Sequence, residues 1–389
     1  MPRSVAFFVH HQGRGHARRC EAILEHLGDR PITVISAARE IFGTFDDRVR
    51  FVHLQNAIGD PSATKALHAQ QTPDAMQCVP MGSRRLKQNA EAIVEVFRRD
   101  NPGLFVSDVS VEWALLARLC AVPCVKIRMH GDRSDASHIA AYQACAGMIA
   151  PFDARIEQAD YPGWARAKTF YSGGLCTTRD PVPTKAEARK RLNLPAEGQR
   201  ILVLSGAGGT GANYAALTMA ARALPEAQWA TIGPVHLEGH ETEFANLTRL
   251  GWVESTVDHI AAADLVVASA GDNTVHEIAR VGRPFLCIPE WRYYDEQRAK
   301  AAELERIGAA TVLPGWPASN DQWRAAIAST LERGAKALTS LFEPHAAERI
   351  AQHLVSLDER LWGTADAAPA KRLDPRSLMP VEAVAKTAG

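Results

Sequence analysis

Short apolar runs alternate with longer stretches of helical periodicity along most of the chain. In the first half the apolar runs predict strands at Val5–Val9, Ile32–Ser36, Val49–Leu54, Leu104–Ser107, Val122–Ile127 and Gly147–Ala150. Between these runs the pattern predicts helices at Ala17–Leu27, Gly82–Arg98 and Val111–Leu119. This alternation is typical of a parallel sheet covered by helices.

The second half repeats the alternation after a Gly-, Thr- and Pro-rich stretch at Tyr171–Thr184. Strands are predicted at Ile201–Ser205, Trp229–Ile232, Leu265–Ser269, Pro284–Ile288 and Thr311–Leu313. Helices are predicted at Lys185–Leu192, Ala212–Leu224, Thr274–Val281, Asp295–Ile307 and Gln322–Leu331. The pattern predicts an α/β protein with two Rossmann-like domains, at residues 1–178 and 179–360, and a disordered tail at 361–389.

Composition narrows the class of protein. The chain has 389 residues, of which 46% are hydrophobic, and 44 basic residues balance 44 acidic ones, so no global field favours nucleic acid. Its seven cysteines are scattered without C-x-x-C spacing, which argues against a disulfide framework or a zinc module. We expect a cytoplasmic protein, because the N-terminal apolar run is too short for a signal peptide and none approaches the length of a membrane span.

A glycine cluster follows the first strand of the second half, in "ILVLSGAGGTGANYAAL". Glycines allow close approach to a phosphate, and the next helix would supply amide donors and a positive dipole end. Gly206, Gly208 and Gly211 fit the dinucleotide fingerprint, but the next strand ends in Gly233 and Pro234 rather than in an acidic residue. NAD is therefore disfavoured, and a tight turn without a ligand stays an alternative.

The stretch from Gly251 to Pro289 combines a strand, a turn containing Gly271, Asp272 and Asn273, and a helix. Glu277 falls in the first turns of that helix, near the strand edge where open α/β sheets bind ligands. A carboxylate there suits the vicinal hydroxyls of a ribose. The alternative is a charge that only complements the helix dipole.

These residues together resemble the nucleotide-sugar half of GT-B glycosyltransferases, particularly the peptidoglycan N-acetylglucosaminyltransferases that make lipid II. The resemblance rests on the glycine turn, "GWV", "SAG" at Ser269–Gly271 with Glu277, and "YYDEQ" at Tyr293–Gln297, and it implies two domains that face a central cleft. It also implies roles in donor binding. The donor diphosphate would be held by Gly208, Gly209, Thr210, Gly271, Asp272 and Asn273. Val253 would contact the nucleobase, Glu277 would hold the ribose, and Asp295 and Gln297 would contact the sugar hydroxyls. Ala301 departs from the family, which has Asn there, so the sugar is left open.

The first turn of the chain, "HHQGRGHARR", contains the candidate catalytic residue. His16 follows Gly13 and Gly15 at the predicted start of a helix, where a neutral imidazole could remove a proton from an acceptor hydroxyl. Asp108 ends another strand of the same sheet and would orient His16, as the His–Asp pair does in related enzymes. The alternative is that both residues cap helices.

Other residues in and near this turn, including Gly13, Arg14 and Gly15, are candidates for substrate binding. His10, His11 and His130 also end strands and could contact acceptor or phosphate, although structural histidines are the alternative for each. Arg14, Arg18 and Arg19 would give the turn a positive rim suited to an anionic acceptor such as a polyprenyl diphosphate. Helix arginines also serve as solvated faces.

The sequence therefore predicts a glycosyltransferase of the hexosyltransferase kind, active in cell-envelope or glycoconjugate synthesis. It would move a sugar from a nucleotide diphosphate sugar, expected to be UDP-linked, to a lipid-linked or small glycoside acceptor, without a cofactor or a metal, since no D-x-D motif is suitably placed. A lipid-linked acceptor would bring peripheral membrane contact. Two alternatives stay open. "GRGHARRC" also resembles the G-x-G-H-x-x-R-C turn of shorter UDP-sugar hydrolases of pseudaminic acid synthesis, and a noncatalytic nucleotide-sugar-binding protein would share the donor motifs.

Overall fold

A computed structural model describes residues 2–57, 59, 60, 62, 64–206, 209, 211–237, 239 and 241–363. Within these ranges the first sheet has seven parallel strands in the order β3-β2-β1-β4-β5-β6-β7. The strands are β1 Val5–Phe8, β2 Ile32–Ser36, β3 Val49–His53, β4 Leu104–Asp108, β5 Cys124–Ile127, β6 Gly147–Ala150 and β7 Thr169–Tyr171. The helices of this half are α1 Arg14–Leu24, α2 Lys65–His68, α3 Arg84–Asp100, α4 Val111–Leu119, α5 Ala136–Ala144 and α6 Gly163–Arg166, with a 3-10 turn at Ala154–Ile156.

A second parallel sheet has six strands in the described part of the chain, in the order β12-β10-β8-β13-β14-β15. Its strands are β8 Arg200–Leu204, β10 Gln228–Ile232, β12 Leu247–Arg249, β13 Leu265–Ala268, β14 Phe285–Cys287 and β15 Thr311–Val312, and a separate short pair joins β9 Ala212–Asn213 to β11 Val235–His236. The helices are α7 Lys185–Arg191, α8 Tyr214–Ala223, α9 Thr256–Ala262, α10 Asp272–Val281, α11 Glu296–Arg306, α12 Asn320–Arg333, α13 Lys336–Thr339 and α14 Ala346–Trp362, with a 3-10 turn at Tyr293–Asp295.

The strand orders explain where a site can form. In the first sheet β1 and β4 are neighbours, and the chain winds outward from them in opposite directions. In the second sheet β8 and β13 have the same relation. Open α/β sheets bind ligands at such switch points, outside the carboxyl ends of the strands. His16 comes after β1 and Asp108 ends β4, so both lie at the first switch point. The glycine turn comes after β8 and Gly271 after β13, at the second.

The last helix departs from the predicted domain division. α14 was assigned with residues 179–360 to the second domain, but Ile350, Leu354 and Leu357 are buried in the hydrophobic core of the first sheet. Asp358 accepts a hydrogen bond from Arg30 at 2.7 Å, and the indole of Trp362 donates to the carbonyl of Gly103 at 2.9 Å. The chain therefore crosses back to the first domain, and the predicted tail begins with two residues of this helix. Residues 364–389 of that tail lie outside the described residues.

Candidate active site

A cavity of about 1200 Å³ lies between the two sheets, at the carboxyl ends of their strands. The first domain contributes His10, Gly13, His16 and Val109 to its lining, and the second contributes Ser205, Gly209, Ser269, Glu290 and Trp316 among others. The described residues thus bring the candidate base and part of the donor turn to one cleft.

His16 lies in the first turn of α1, and its side chain is 22% exposed. Its Nδ1 is 3.0 Å from Oδ2 of Asp108, at the end of β4. The helix-cap alternative differs from the structure, because Gly13 occupies the N-cap position of α1 and Ser110 caps α4. The two residues predicted to act together therefore do lie in contact at the cleft.

The turn that follows Asp108 is strained. Val109 has a φ of 75°, a conformation that a β-branched residue rarely adopts. The buried ammonium of Lys126 donates to the carbonyls of Val109 at 2.5 Å and Ser110 at 3.0 Å. Sequence reasoning missed Lys126, although a lysine inside an otherwise apolar strand was a usable signal. It fixes the turn that presents Asp108 to His16.

The position of Arg19 also differs from the prediction made from the sequence. It was predicted to form a cationic rim with Arg14 and Arg18, but it is only 6% exposed and donates to both carboxylate oxygens of Asp108 at 2.9 and 3.0 Å. Burial acts to lower the pKa of Arg19, but Asp108 and Asp272 outweigh this and raise it. Burial likewise acts to raise the pKa of Asp108, yet Arg19 and His16 hold it well below its usual range. The rim is therefore left with Arg14 and Arg18, and Arg18 pairs with Glu21 at 3.6 Å.

The other histidines of the first domain divide into two groups. His10 lines the cavity, and its ring centre is 5.7 Å from that of His16 and 4.9 Å from that of His11. Burial, with the neighbouring histidines, lowers the pKa of His10 to about 4, so its ring is neutral at pH 7. His130, predicted to bind substrate, is instead fully buried, its ring centre is 4.0 Å from that of Phe152, and its Nε2 donates to a backbone carbonyl. It has no open face toward the cleft.

The donor turn is described in part. Gly208 and Thr210, both predicted to contact the diphosphate, lie outside the described residues. Gly209 lies against the carboxylate of Glu290, so closely that a β-carbon at Gly209 would overlap it. Glu290 is also paired with Arg292 at 2.8 Å. The predicted phosphate turn thus has an acidic neighbour that the sequence pattern did not reveal.

Helix α10 begins at Asp272, with Gly271 as its N-cap. Asp272 was predicted to hold the donor diphosphate, but its side chain is 13% exposed and is paired with Lys300. Burial acts to raise the pKa of Asp272, and Lys300, His276 and Arg19 together hold it well below its usual range. Asp272 is therefore an ion-pair partner inside the interface rather than an open ligand.

Asn273 and Glu277 lie at or near a second cavity. Asn273 lines a second cavity, of about 650 Å³, together with Thr178. Oε1 of Glu277 accepts from the hydroxyls of Thr178 at 2.6 Å and Thr256 at 2.7 Å. Val253 packs against the core of the second domain. Asn273, Glu277 and Val253 are not among the residues that line the cavity containing His16.

Asp295 and Gln297, the predicted sugar-binding pair, are not among the residues that line the cavity with His16. Asp295 is largely exposed and pairs with Arg298 at 3.4 Å. Gln297 is 4% exposed, and its side-chain oxygen accepts from the backbone N–H of Glu290. Tyr294 and Asp295 have left-handed backbone, and the acidic residues Glu290 and Glu296 line the cavity.

The two domains touch through several short contacts. The backbone N–H of Asp132 donates to the carbonyl of Tyr294 at 2.7 Å, and Arg133 pairs with Glu296 at 2.9 Å. A β-carbon on Gly15 would stand 3.0 Å from Nδ2 of Asn273. Gly15, predicted as a substrate contact, is thus placed where the first domain meets α10.

Two features are absent from the described part of the chain. No helix there has the length and apolar character needed to cross a membrane. In the same ranges no group of three or more His, Cys, Asp or Glu side chains is arranged to hold a metal ion.

The fold and the cleft define a GT-B architecture, and comparison with known proteins agrees. Residues 201–353 match the Glycosyltransferase family 28 C-terminal domain. A UDP-glucosyltransferase of Polygonum tinctorium superposes with a TM-score of 0.67 and 11% identity, covering 92% of this chain and 99% of that one. That likeness establishes the fold.

Curated relatives match over shorter stretches. The UDP-N-acetylglucosamine–N-acetylmuramyl-(pentapeptide) pyrophosphoryl-undecaprenol N-acetylglucosamine transferase of Methylorubrum populi is 36% identical over 112 residues, 28% of this chain and 29% of the relative. The enzyme of the same name from Cutibacterium acnes is 27% identical over 262 residues, 64% of this chain and 70% of the relative. The chain thus aligns with less than a third of the first relative and with just over two thirds of the second.

Proposed function

We propose that the chain transfers a sugar from a nucleoside diphosphate sugar, expected to be UDP-linked, to an acceptor hydroxyl. The observation that carries the proposal is that His16 contacts Asp108 and is open to a cavity. The other wall of this cavity belongs to the domain that matches the family 28 model. The similarity to UDP-sugar-dependent relatives supports the donor class.

In this proposal Nε2 of His16 takes the proton of the acceptor hydroxyl while the acceptor oxygen bonds to the anomeric carbon. The bond from that carbon to the diphosphate breaks, and the nucleoside diphosphate leaves. Asp108 accepts the Nδ1–H of His16, orients the ring and stabilises the imidazolium that forms. Backbone N–H groups after β8 and at the start of α10 would stabilise the leaving charge. The proposed reaction has no metal step.

The donor contacts that we propose differ in part from those predicted from the sequence. Glu277 keeps its proposed role toward the ribose, since its Oε1 is held by two threonine hydroxyls and its other oxygen can face a ligand. We propose Glu290, in place of Asp295 and Gln297, as the cavity residue that contacts sugar hydroxyls. An anionic lipid-linked acceptor draws support from the exposed Arg14, whereas Arg19 is committed to Asp108.

The test is a ligand screen followed by turnover. Nucleoside diphosphates, their sugars and NAD are compared by thermal shift, because a ligand at 100 times its Kd adds about 2.7 kcal/mol of stability. UDP-sugars should raise the melting temperature, and a shift selective for NAD would overturn the proposal. Product analysis then separates the alternatives: stoichiometric free sugar without acceptor indicates a hydrolase, and tight binding without reaction across an acceptor panel indicates a noncatalytic protein.

A further inference from the structure

The guanidinium of Arg19 stands between the two domains, buried beneath the cleft. Its NH2 lies 2.9 Å from Nδ1 of His16 and bonds both oxygens of Asp108. Its NH1 faces Oδ2 of Asp272, on the other domain, at 3.7 Å. Among the described residues, Oδ2 of Asp272 and Nε of Arg19 have no hydrogen-bond partner. A shortening of about 0.8 Å would turn this ion pair into a charge-assisted hydrogen bond.

This geometry creates a competition at Nδ1 of His16. A guanidinium can only donate, so a hydrogen bond from Arg19 to Nδ1 requires a lone pair there and puts the ring proton on Nε2. A hydrogen bond from Nδ1 to Asp108 requires the opposite tautomer, in which Nε2 is free to accept a proton. Only the second arrangement gives a base that faces the cleft.

We propose that Arg19 is a positioning residue that ties the His16–Asp108 pair to the donor-side helix α10. The attraction of Asp272 keeps the guanidinium of Arg19 hydrogen-bonded to Asp108 rather than to His16. Asp108 then accepts the Nδ1–H of His16, and Nε2 of His16 is the free base. The base is therefore set by contact between the domains, and Asp272 acts through Arg19.

The charged and titratable groups around His16 come from four neighbouring elements and one residue behind them. These are Asp108 at the end of β4, Arg19 on α1, His10 after β1, Asp272 on α10, and Lys300 on α11, which is paired with Asp272. Removing the cation of Arg19 should favour the imidazolium, and removing the anion of Asp272 should disfavour it. The two changes therefore have opposite expected signs.

The test follows the His16 ring by ¹H–¹⁵N correlation in the full chain, with His16→Gln for assignment. Arg19→Met should move the titration of His16 to higher pH, and Asp272→Asn should move it to lower pH and increase the Nε2–H tautomer. Arg19→Lys keeps the cation and should move the titration less than Arg19→Met does, and the control Arg98→Met, at an exposed arginine of α3, should leave it as in wild type.

The inference rests on the proposed function for the role of His16 as base, but the titration needs no substrate. If the chain turns over no UDP-sugar, the function fails while the titration still decides the role of Arg19. With an active enzyme, the acid limb of the kcat profile should move with the measured pKa, and KM for the donor should change less than twofold. An unchanged pKa in Arg19→Met, or a rise in Asp272→Asn, overturns the proposal, and either variant alone suffices if the other does not fold.

Discussion

Nζ of Lys126 lies 2.5 Å from the carbonyl oxygen of Val109, a residue with a φ of 75° directly after Asp108. The lysine therefore holds a strained turn whose position determines where the Asp108 carboxylate lies. Because this contact comes from the neighbouring strand β5, the proposed base pair depends on the packing of the sheet as well as on its own two residues.

Lys126→Met should lower kcat by about tenfold, because Asp108 would lose the clamp on its turn. Lys168 is a matched control: its ammonium also donates to two backbone carbonyls, of Tyr142 and Gln143, but away from the cleft. Lys168→Met should leave kcat unchanged. Equal loss in both variants would contradict a specific role for Lys126.

The same variant makes a prediction for stability against pH. Burial lowers the pKa of Lys126 from 10.5 to about 8, so between these values the unfolded chain binds the proton and the folded chain has released it. Wild type should therefore gain stability as pH rises from 8 to 10.5, and Lys126→Met should lack this gain. Denaturant titrations should show a difference in the free energy of unfolding that grows by up to about 1 kcal/mol per pH unit. A difference that shrinks with pH would refute the assignment.

Gly15→Ala tests the contact between the domains. A β-carbon there would stand 3.0 Å from Nδ2 of Asn273, so the domains must shift or Asn273 must move. We expect kcat to fall about tenfold in Gly15→Ala and to recover in the double variant Gly15→Ala/Asn273→Ala. Gly163→Ala, in open space on α6, is the control and should behave as wild type. Failure of the double variant to recover would show that the small side chain at 15 matters for another reason.

Glu290→Gln tests the acidic neighbour of the donor turn. The carboxylate lies against Gly209, where a diphosphate would meet like charge. UDP alone should bind several-fold more tightly to Glu290→Gln, as measured by calorimetry, whereas turnover of the UDP-sugar should fall because a sugar contact is lost. The exposed Glu332→Gln is the matched control. Weaker UDP binding in Glu290→Gln would place the carboxylate away from the phosphates.

The sheets and the His16–Asp108 contact could be predicted because they depend on local pattern and on a general rule. Continuous apolar runs define buried parallel strands, and the carboxyl ends of neighbouring strands meet at one edge. Asp108 and His16 each follow directly from such an edge, so their meeting required no knowledge of loop conformation.

The remaining differences come from long-range packing and from loops. Nothing local in α14 shows that Leu354 and Leu357 pack on the first sheet, almost the length of the chain away from its opening strand. The burial of Arg19 and Asp272 depends on the docking of two domains. The left-handed turn at Tyr294 and Asp295 lacks the glycine that signals such a conformation in a sequence.

We propose His16 as the base for sugar transfer. The most direct measurement compares His16→Ala with the exposed-histidine control His26→Ala in single-turnover transfer from a UDP-sugar, alongside UDP affinity by calorimetry. We predict that the transfer rate of His16→Ala falls by about 10²- to 10⁴-fold, with UDP affinity within about twofold of wild type. Loss of UDP binding with a normal transfer rate in the remaining complex would contradict it.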